Sequence, residues 1–297
     1  MTWIDAVLMG IIEGLTELLP VSSTGHLILV GDRLGQSSPA AKTLEIVIQA
    51  GAVLAVVVYY RARLATLLRG IFQRDPKAIR LAVALGIAFV PAAVVGLLTH
   101  KAIKRLLFHP APVAGALIVG GVLMIAVELG RKRRAREADD GLEHVSYRRA
   151  IAVGLGQCLS LWPGSSRSMT TIVAAEMTGL SPSTAADFSF LLAIPTLGAA
   201  TAYDLVKNYD TLAATPGAMN ALAIGLVVSF VVALLVIAAF LRYLKRFGLT
   251  PFGIYRIVLG VIVLVLLGTN GAPEASGQTD APAPAPSVAV SAEAPAH

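Results

Sequence analysis

The chain has 297 residues, 56% of them hydrophobic and only 14% charged, with a net charge of +6 and a mean hydropathy of +0.75. Soluble domains carry about a quarter charged residues, so this composition excludes an ordinary water-soluble globule. The single cysteine, Cys158, excludes an intrachain disulfide framework, and bases confined to short segments between apolar runs point to membrane orientation rather than to nucleic acid.

The N-terminus has neither a basic n-region nor a small-residue cleavage site, so no cleavable signal peptide is expected. An apolar flank from Trp3 to Ile12 leads into Glu13-Gly-Leu-Thr-Glu17-Leu-Leu-Pro20-Val-Ser22-Ser23-Thr24-Gly25-His26. Glu13 and Glu17 are one helical turn apart and share a face. Two like charges out of water call for a metal ion, a shared proton or a nearby Arg. Pro20 disfavours helix at the residue before it. Ser22, Ser23 and Thr24 then form a capping sequence for a new helix, whose free N–H groups favour an anion. Acids on one side of a break and an anion cradle on the other suggest a site for a phosphate group.

Six runs beyond this stretch are long and apolar enough to span a bilayer, which needs roughly 17–25 residues each. They lie near 44–60, 79–98, 111–129, 187–206, 218–241 and 252–268. Gln49, on the first of them, is a costly polar group expected to line a cavity or bond a neighbouring helix. The Ala/Pro-rich tail from Asn270 has acids and no bases and is expected to be disordered.

Between the third and fourth spans, the run from Gly154 through Pro163-Gly164-Ser165-Ser166-Arg167-Ser168 to Thr171 echoes the opening stretch. An offset of 143 places Pro20 on Pro163 and Ser22 on Ser165. The expected fold is therefore an all-α integral membrane protein with an inverted-topology repeat: a single domain over 1–269, with halves at about 1–130 and 147–269, six full spans and two re-entrant broken helix pairs. If the loop after the first span is cytoplasmic, inside loops hold sixteen Lys and Arg against six outside, which favours both termini facing outward. One break then enters from each face. Irregular backbone at that depth must be covered by protein or line a wet cavity, so the two breaks are expected to meet.

Ionisable groups inside a membrane are functional by default. Arg167 offers a planar donor fork suited to phosphate, and Ser165, Ser166 and Ser168 add hydroxyls around the same anion. Glu13 and Glu17 suit Mg²⁺ or Ca²⁺ bridged to phosphate oxygens, or one of them a general base. His26 is a candidate acid, base or nucleophile, and Ser23 or Ser166 a nucleophile or simply a cap. A structural Glu–Arg strut and an anion transporter or lipid flippase built on the same broken helices are the competing readings. Turnover in detergent separates an enzyme from a transporter.

The two motifs, Glu13 to His26 and Pro163 to Thr171, resemble the signatures of the undecaprenyl-diphosphate phosphatase family of the bacitracin-resistance type. The similarity runs from about Trp3 to Gly268 and takes in Glu45–Gln49 and Asp187–Leu191. It implies hydrolysis of a C55 polyprenyl diphosphate to the monophosphate and inorganic phosphate in the bacterial plasma membrane. That recycles the carrier lipid for cell-wall synthesis and raises tolerance to bacitracin. The resemblance also implies dependence on a divalent cation and roles for Glu13, Glu17, Ser23, His26, Ser166, Arg167 and Thr171. It leaves the attacking group open, and the sequence leaves monomer and homodimer open. His144, where relatives often carry Asp, departs from the pattern in an expected cytoplasmic loop.

Overall fold

The computed structural model describes residues 2–27, 39–107, 109–133 and 139–269, and these are helices, 3-10 turns and connections with one isolated bridge between Asp139 and Leu180. The acidic tail from Asn270 and the base Arg33 lie outside the described residues. α1 (Trp3–Thr16) begins at Thr2, whose hydroxyl accepts from Asp5 N while the Asp5 carboxylate accepts from Thr2 N, a reciprocal cap that satisfies two otherwise unpaired donors. Helical turns resume at 23–27. Next come α2 (Pro39–Tyr59), α3 (Arg61–Phe72), α4 (Pro76–Leu107), α5 (Pro110–Arg133), α6 (Tyr147–Cys158), α7 (Arg167–Met177), α8 (Pro182–Ala214), α9 (Ala218–Phe247) and α10 (Thr250–Thr269).

Five of the six expected spans are single helices of sufficient length and hydropathy, within Pro76–Thr99, Pro110–Arg131, Pro182–Ala214, Ala218–Phe247 and Thr250–Leu267. The first differs. Val47–Tyr59 passes as a span only jointly with α3, across a 71° bend. The apolar run ends where expected, because Arg61, Arg63 and Arg69 follow it and stay exposed, and charged heads seek water.

α1 stops at Thr16, earlier than Pro20 alone requires, and 17–21 form a turn. Thr16 Oγ1 bonds back to the Ile12 carbonyl at 2.7 Å, and the Glu17 side chain is taken up by partners across the break, described below. The two motifs also correspond in backbone geometry. The N-caps Thr2 and Ser146, and the left-handed serines Ser22 (φ 74°) and Ser166 (φ 70°), are each 144 residues apart (146 minus 2; 166 minus 22). The offset of 143 aligns prolines; the caps align one residue further on, because the hydroxyl that starts each helix fixes the local geometry. In that register Gln157, fully buried, stands opposite Glu13, and Arg167 stands opposite Ser23.

Small residues allow close packing where lipid offers no hydrophobic drive between helices. α5 and α10 meet at Gly121 and Gly253, where a Cβ on Gly253 would lie 2.8 Å from the Gly121 carbonyl. α1 and α2 both pack on α9, and α6 packs on α4. Leu18 from the first break, Met169 and Ile172 from α7, Phe188 and Phe190 from α8 and Phe240 from α9 belong to one core cluster. The two breaks therefore share a core, which fixes one against the other.

Candidate active site

Each break ends in a serine with left-handed backbone, a conformation that costs a non-glycine residue on the order of 1–2 kcal/mol. Each offsets that cost by capping the next helix: Ser22 Oγ accepts from Gly25 N at 3.2 Å, and Ser166 Oγ accepts from Met169 N at 3.3 Å. The second break also needs Gly164, at φ 94°, where a Cβ would lie 2.6 Å from the Val113 carbonyl. Such pinched turns leave the first N–H groups of the following helix without intrahelical acceptors.

Glu17 lies at the centre. Its Oε2 accepts from Ser23 Oγ at 2.6 Å, and its Oε1 faces Arg167 Nε at 3.7 Å. Arg167 Nη1 donates to the Ser189 carbonyl at 3.0 Å. Its Nη2 is buried without a hydrogen-bond partner among the described residues. Glu13, one turn back on α1, is 2% exposed. Ser168 Oγ donates to the Leu19 carbonyl at 2.8 Å, a direct tie from α7 to the first break, and lies 3.0 Å from Ser166 Oγ. Thr171 Oγ1 donates to the Arg167 carbonyl at 2.8 Å and sits 2.6 Å from Ser189 Oγ.

His26 Nδ1 lies 2.8 Å from the Ser22 carbonyl and Nε2 lies 2.6 Å from the Tyr255 hydroxyl. A carbonyl only accepts, so Nδ1 holds a proton and Nε2 is the nitrogen left for acid–base work. Three candidates stand apart. Gln49 is half-buried on α2, Thr24 is half-buried beside Ser23, and Ser165 is buried in the turn. None of the three forms a side-chain hydrogen bond to another candidate among the described residues.

A buried acid, a guanidinium with an unused donor and a cluster of hydroxyls thus converge from two segments far apart in sequence, while the His26 ring is held to one side by Ser22 and Tyr255. That arrangement has the chemistry to receive and neutralise an oxyanion. The family model described as "Bacitracin resistance protein BacA" matches residues 6–262. The chain belongs to this family. Curated relatives bearing the name undecaprenyl-diphosphatase include that of Sorangium cellulosum, 66% identical over 90% of this chain and 87% of the relative. Those of Caldanaerobacter subterraneus subsp. tengcongensis and Campylobacter fetus subsp. fetus are 46% and 45% identical, over 89% and 90% of this chain and 96% and 100% of the relatives.

In this BacA-family chain, sequence reasoning missed two residues that touch the candidates and a third that bonds the backbone of both breaks. Ser189 bonds both Arg167 and Thr171. Tyr255 holds His26 by its hydroxyl, with the two rings parallel and 5.7 Å apart. Arg256, 0% exposed, donates to carbonyls of both breaks. Arg256 had a readable signal, a charge inside an apolar span. Ser189 and Tyr255 are ordinary residues for their helices until the fold brings them to the site.

No three His, Cys, Asp or Glu side chains gather into a metal cage among the described residues. The donor chemistry nevertheless fits a hard divalent cation. Mg²⁺ is commonly held by one or two carboxylates and completes its shell with waters and substrate phosphates, and two buried carboxylates, Glu13 on the last turn of α1 and Glu17 at its C-cap, supply that oxygen set.

Proposed function

We propose that the chain hydrolyses undecaprenyl diphosphate to undecaprenyl phosphate and inorganic phosphate, and that the reaction takes place where the two breaks meet. The observation that supports this reading best is the buried contact of Glu17 with both Ser23 and Arg167, which joins the breaks around an unused guanidinium donor. The relatives' name supplies the substrate. The terminal P–O bond to the bridging oxygen breaks, that oxygen leaves on undecaprenyl phosphate, and water supplies the fourth oxygen of the released phosphate.

Phosphoryl transfer requires positioning and charge neutralisation more than covalent help. In this reading Arg167 binds the terminal phosphate through Nη1 and Nη2, and the hydroxyls of Ser22, Thr24, Ser165, Ser166, Ser168 and Thr171 line the cradle. Ser23, oriented by Glu17, and His26, fixed by Ser22, are the proton-handling groups. Glu13 and Glu17 would hold Mg²⁺ or Ca²⁺, which when bound would supply positive charge to the phosphate oxygens.

The architecture supported by the 144-residue register is an inverted repeat with a re-entrant break from each leaflet. Exchanged partners fit a pseudo-twofold relation: α1 packs on α9, and α6 packs on α4, the counterpart of α9. The distribution of Lys and Arg supports an orientation with both termini outside. Every residue named comes from one chain, so a homodimer would leave the site intact. The product that leaves on the carrier lipid re-enters cell-wall synthesis, and abundant enzyme confers bacitracin resistance.

Purified protein in detergent, given a polyprenyl diphosphate, should release orthophosphate at a 1:1 ratio to the monophosphate. Uptake of the lipid headgroup into vesicles with no phosphate release would replace this reading with transport.

A further inference from the structure

Arg256 on α10 is the most deeply buried charged side chain among the described residues. Its Nη1 donates to the Pro20 carbonyl at 3.3 Å, and its Nη2 donates to the carbonyls of Gly164 at 2.9 Å and Ala116 at 3.1 Å. Pro20 belongs to the first break and Gly164 to the second. Gly120 makes room for the guanidinium, since a Cβ there would collide with Nη2. Among the described residues no carboxylate pairs with Arg256, and its Nε is buried without a hydrogen-bond partner.

Two consequences follow from the chemistry of this group. A guanidinium is rigid and planar, so donors aimed at two carbonyls fix the distance between them. Pro20 lies three residues after Glu17 and Gly164 three residues before Arg167, so that distance sets how Glu17 and Arg167 face each other. A guanidinium also keeps its charge when buried. Carbonyl dipoles solvate it without cancelling it, and the positive charge stays at the junction.

We propose that Arg256 is a positioning residue for the phosphatase reaction: it holds the two breaks at their working separation, and its unneutralised charge biases the junction toward an anionic headgroup. This rests on the reading that the junction is the active site.

The two roles separate in variants of the full-length protein in detergent. Arg256→Lys keeps the charge but cannot span both carbonyls, so kcat should fall by on the order of a hundredfold, the scale of a small misplacement, while KM stays near wild type. Arg256→Ala loses both, so KM should rise as well, and millimolar methylguanidinium should restore turnover where methylammonium does not. Wild-type kcat in Arg256→Lys, or an Arg256→Ala protein that methylguanidinium fails to restore, overturns the proposal. Glu17→Gln and Arg167→Lys tell the two readings apart. If both also keep full turnover, the junction itself is not the active site. If both lose it while Arg256→Lys does not, the assignment of Arg256 alone fails.

Discussion

Arg167 Nε lies 3.7 Å from Glu17 Oε1, and neither residue is more than 8% exposed. This pair joins the end of α1 to the start of α7, two segments that meet nowhere in the linear chain. Breaking a buried pair by removing one partner leaves an uncompensated charge, which costs about 3–5 kcal/mol. Glu17→Ala should therefore lower the melting temperature in detergent sharply, and the double variant Glu17→Ala/Arg167→Met should recover part of the loss. Additive losses in the double variant would mean that the two residues do not interact.

The turn at Gly164 makes its own prediction. Gly164→Ala places a Cβ 2.6 Å from the Val113 carbonyl at a residue with φ 94°. The left-handed backbone alone costs about 1–2 kcal/mol, and the clash pushes the second break off α5. Thermal melting and phosphate release should both drop. Pro163→Ala, which keeps Gly164, should be milder on both.

The loop before α6 gives a pH-dependent stability. Asp140 accepts from Ser181 Oγ at 2.6 Å and Thr184 Oγ1 at 2.8 Å, and these hydroxyls hold its carboxyl below the usual carboxylate range. A carboxyl lowered on folding stabilises the fold above its unfolded value, near ~4, and the benefit fades as pH falls through the folded value. Wild type should melt higher than Asp140→Asn at pH 7, and the gap should shrink as the pH falls below the ordinary carboxylate range. An equal gap at both ends would contradict the assignment.

Divalent cation dependence is expected if Glu13 of α1 and Glu17 at its C-cap hold the ion as proposed. Chelation should abolish phosphate release, and Mg²⁺ or Ca²⁺ should restore it. Glu13→Gln should raise the cation concentration that gives half-maximal rate. An unchanged cation titration would remove Glu13 from the metal site.

Much of this site could be read from the chain because membranes make polar residues conspicuous. Glu13, Glu17 and Arg167 stand out as charges within apolar sequence, and the proline breaks with their serine caps announce interrupted helices. Arg256 obeys the same rule. Of the 24 Lys and Arg, the loop count takes in 22, and the two left over are Arg167 and Arg256. Only Arg167 sits in a motif, so Arg256 was absorbed into the last span. Ser189 and Tyr255 could not be found in this way, since their partners are set by packing between distant helices. The sequence echo follows the prolines, 143 residues apart, whereas the left-handed serines Ser22 and Ser166 correspond at 144, because backbone geometry is set by the hydroxyl caps and not by the prolines. The bend between α2 and α3 at Tyr60 lay beyond a hydropathy reading, which sees where an apolar run ends but not how sharply the chain turns there.

The central claim is that the two breaks act on one diphosphate headgroup, and turnover by conservative variants of the bridging pair tests it most directly. Orthophosphate release from a polyprenyl diphosphate should be measured in detergent for wild type, Glu17→Gln and Arg167→Lys, each first shown to melt cooperatively. Losses on the order of a hundredfold or more in both variants, the scale expected when a preorganised charge contact is removed, are predicted. Wild-type kcat/KM in either folded variant would contradict the account.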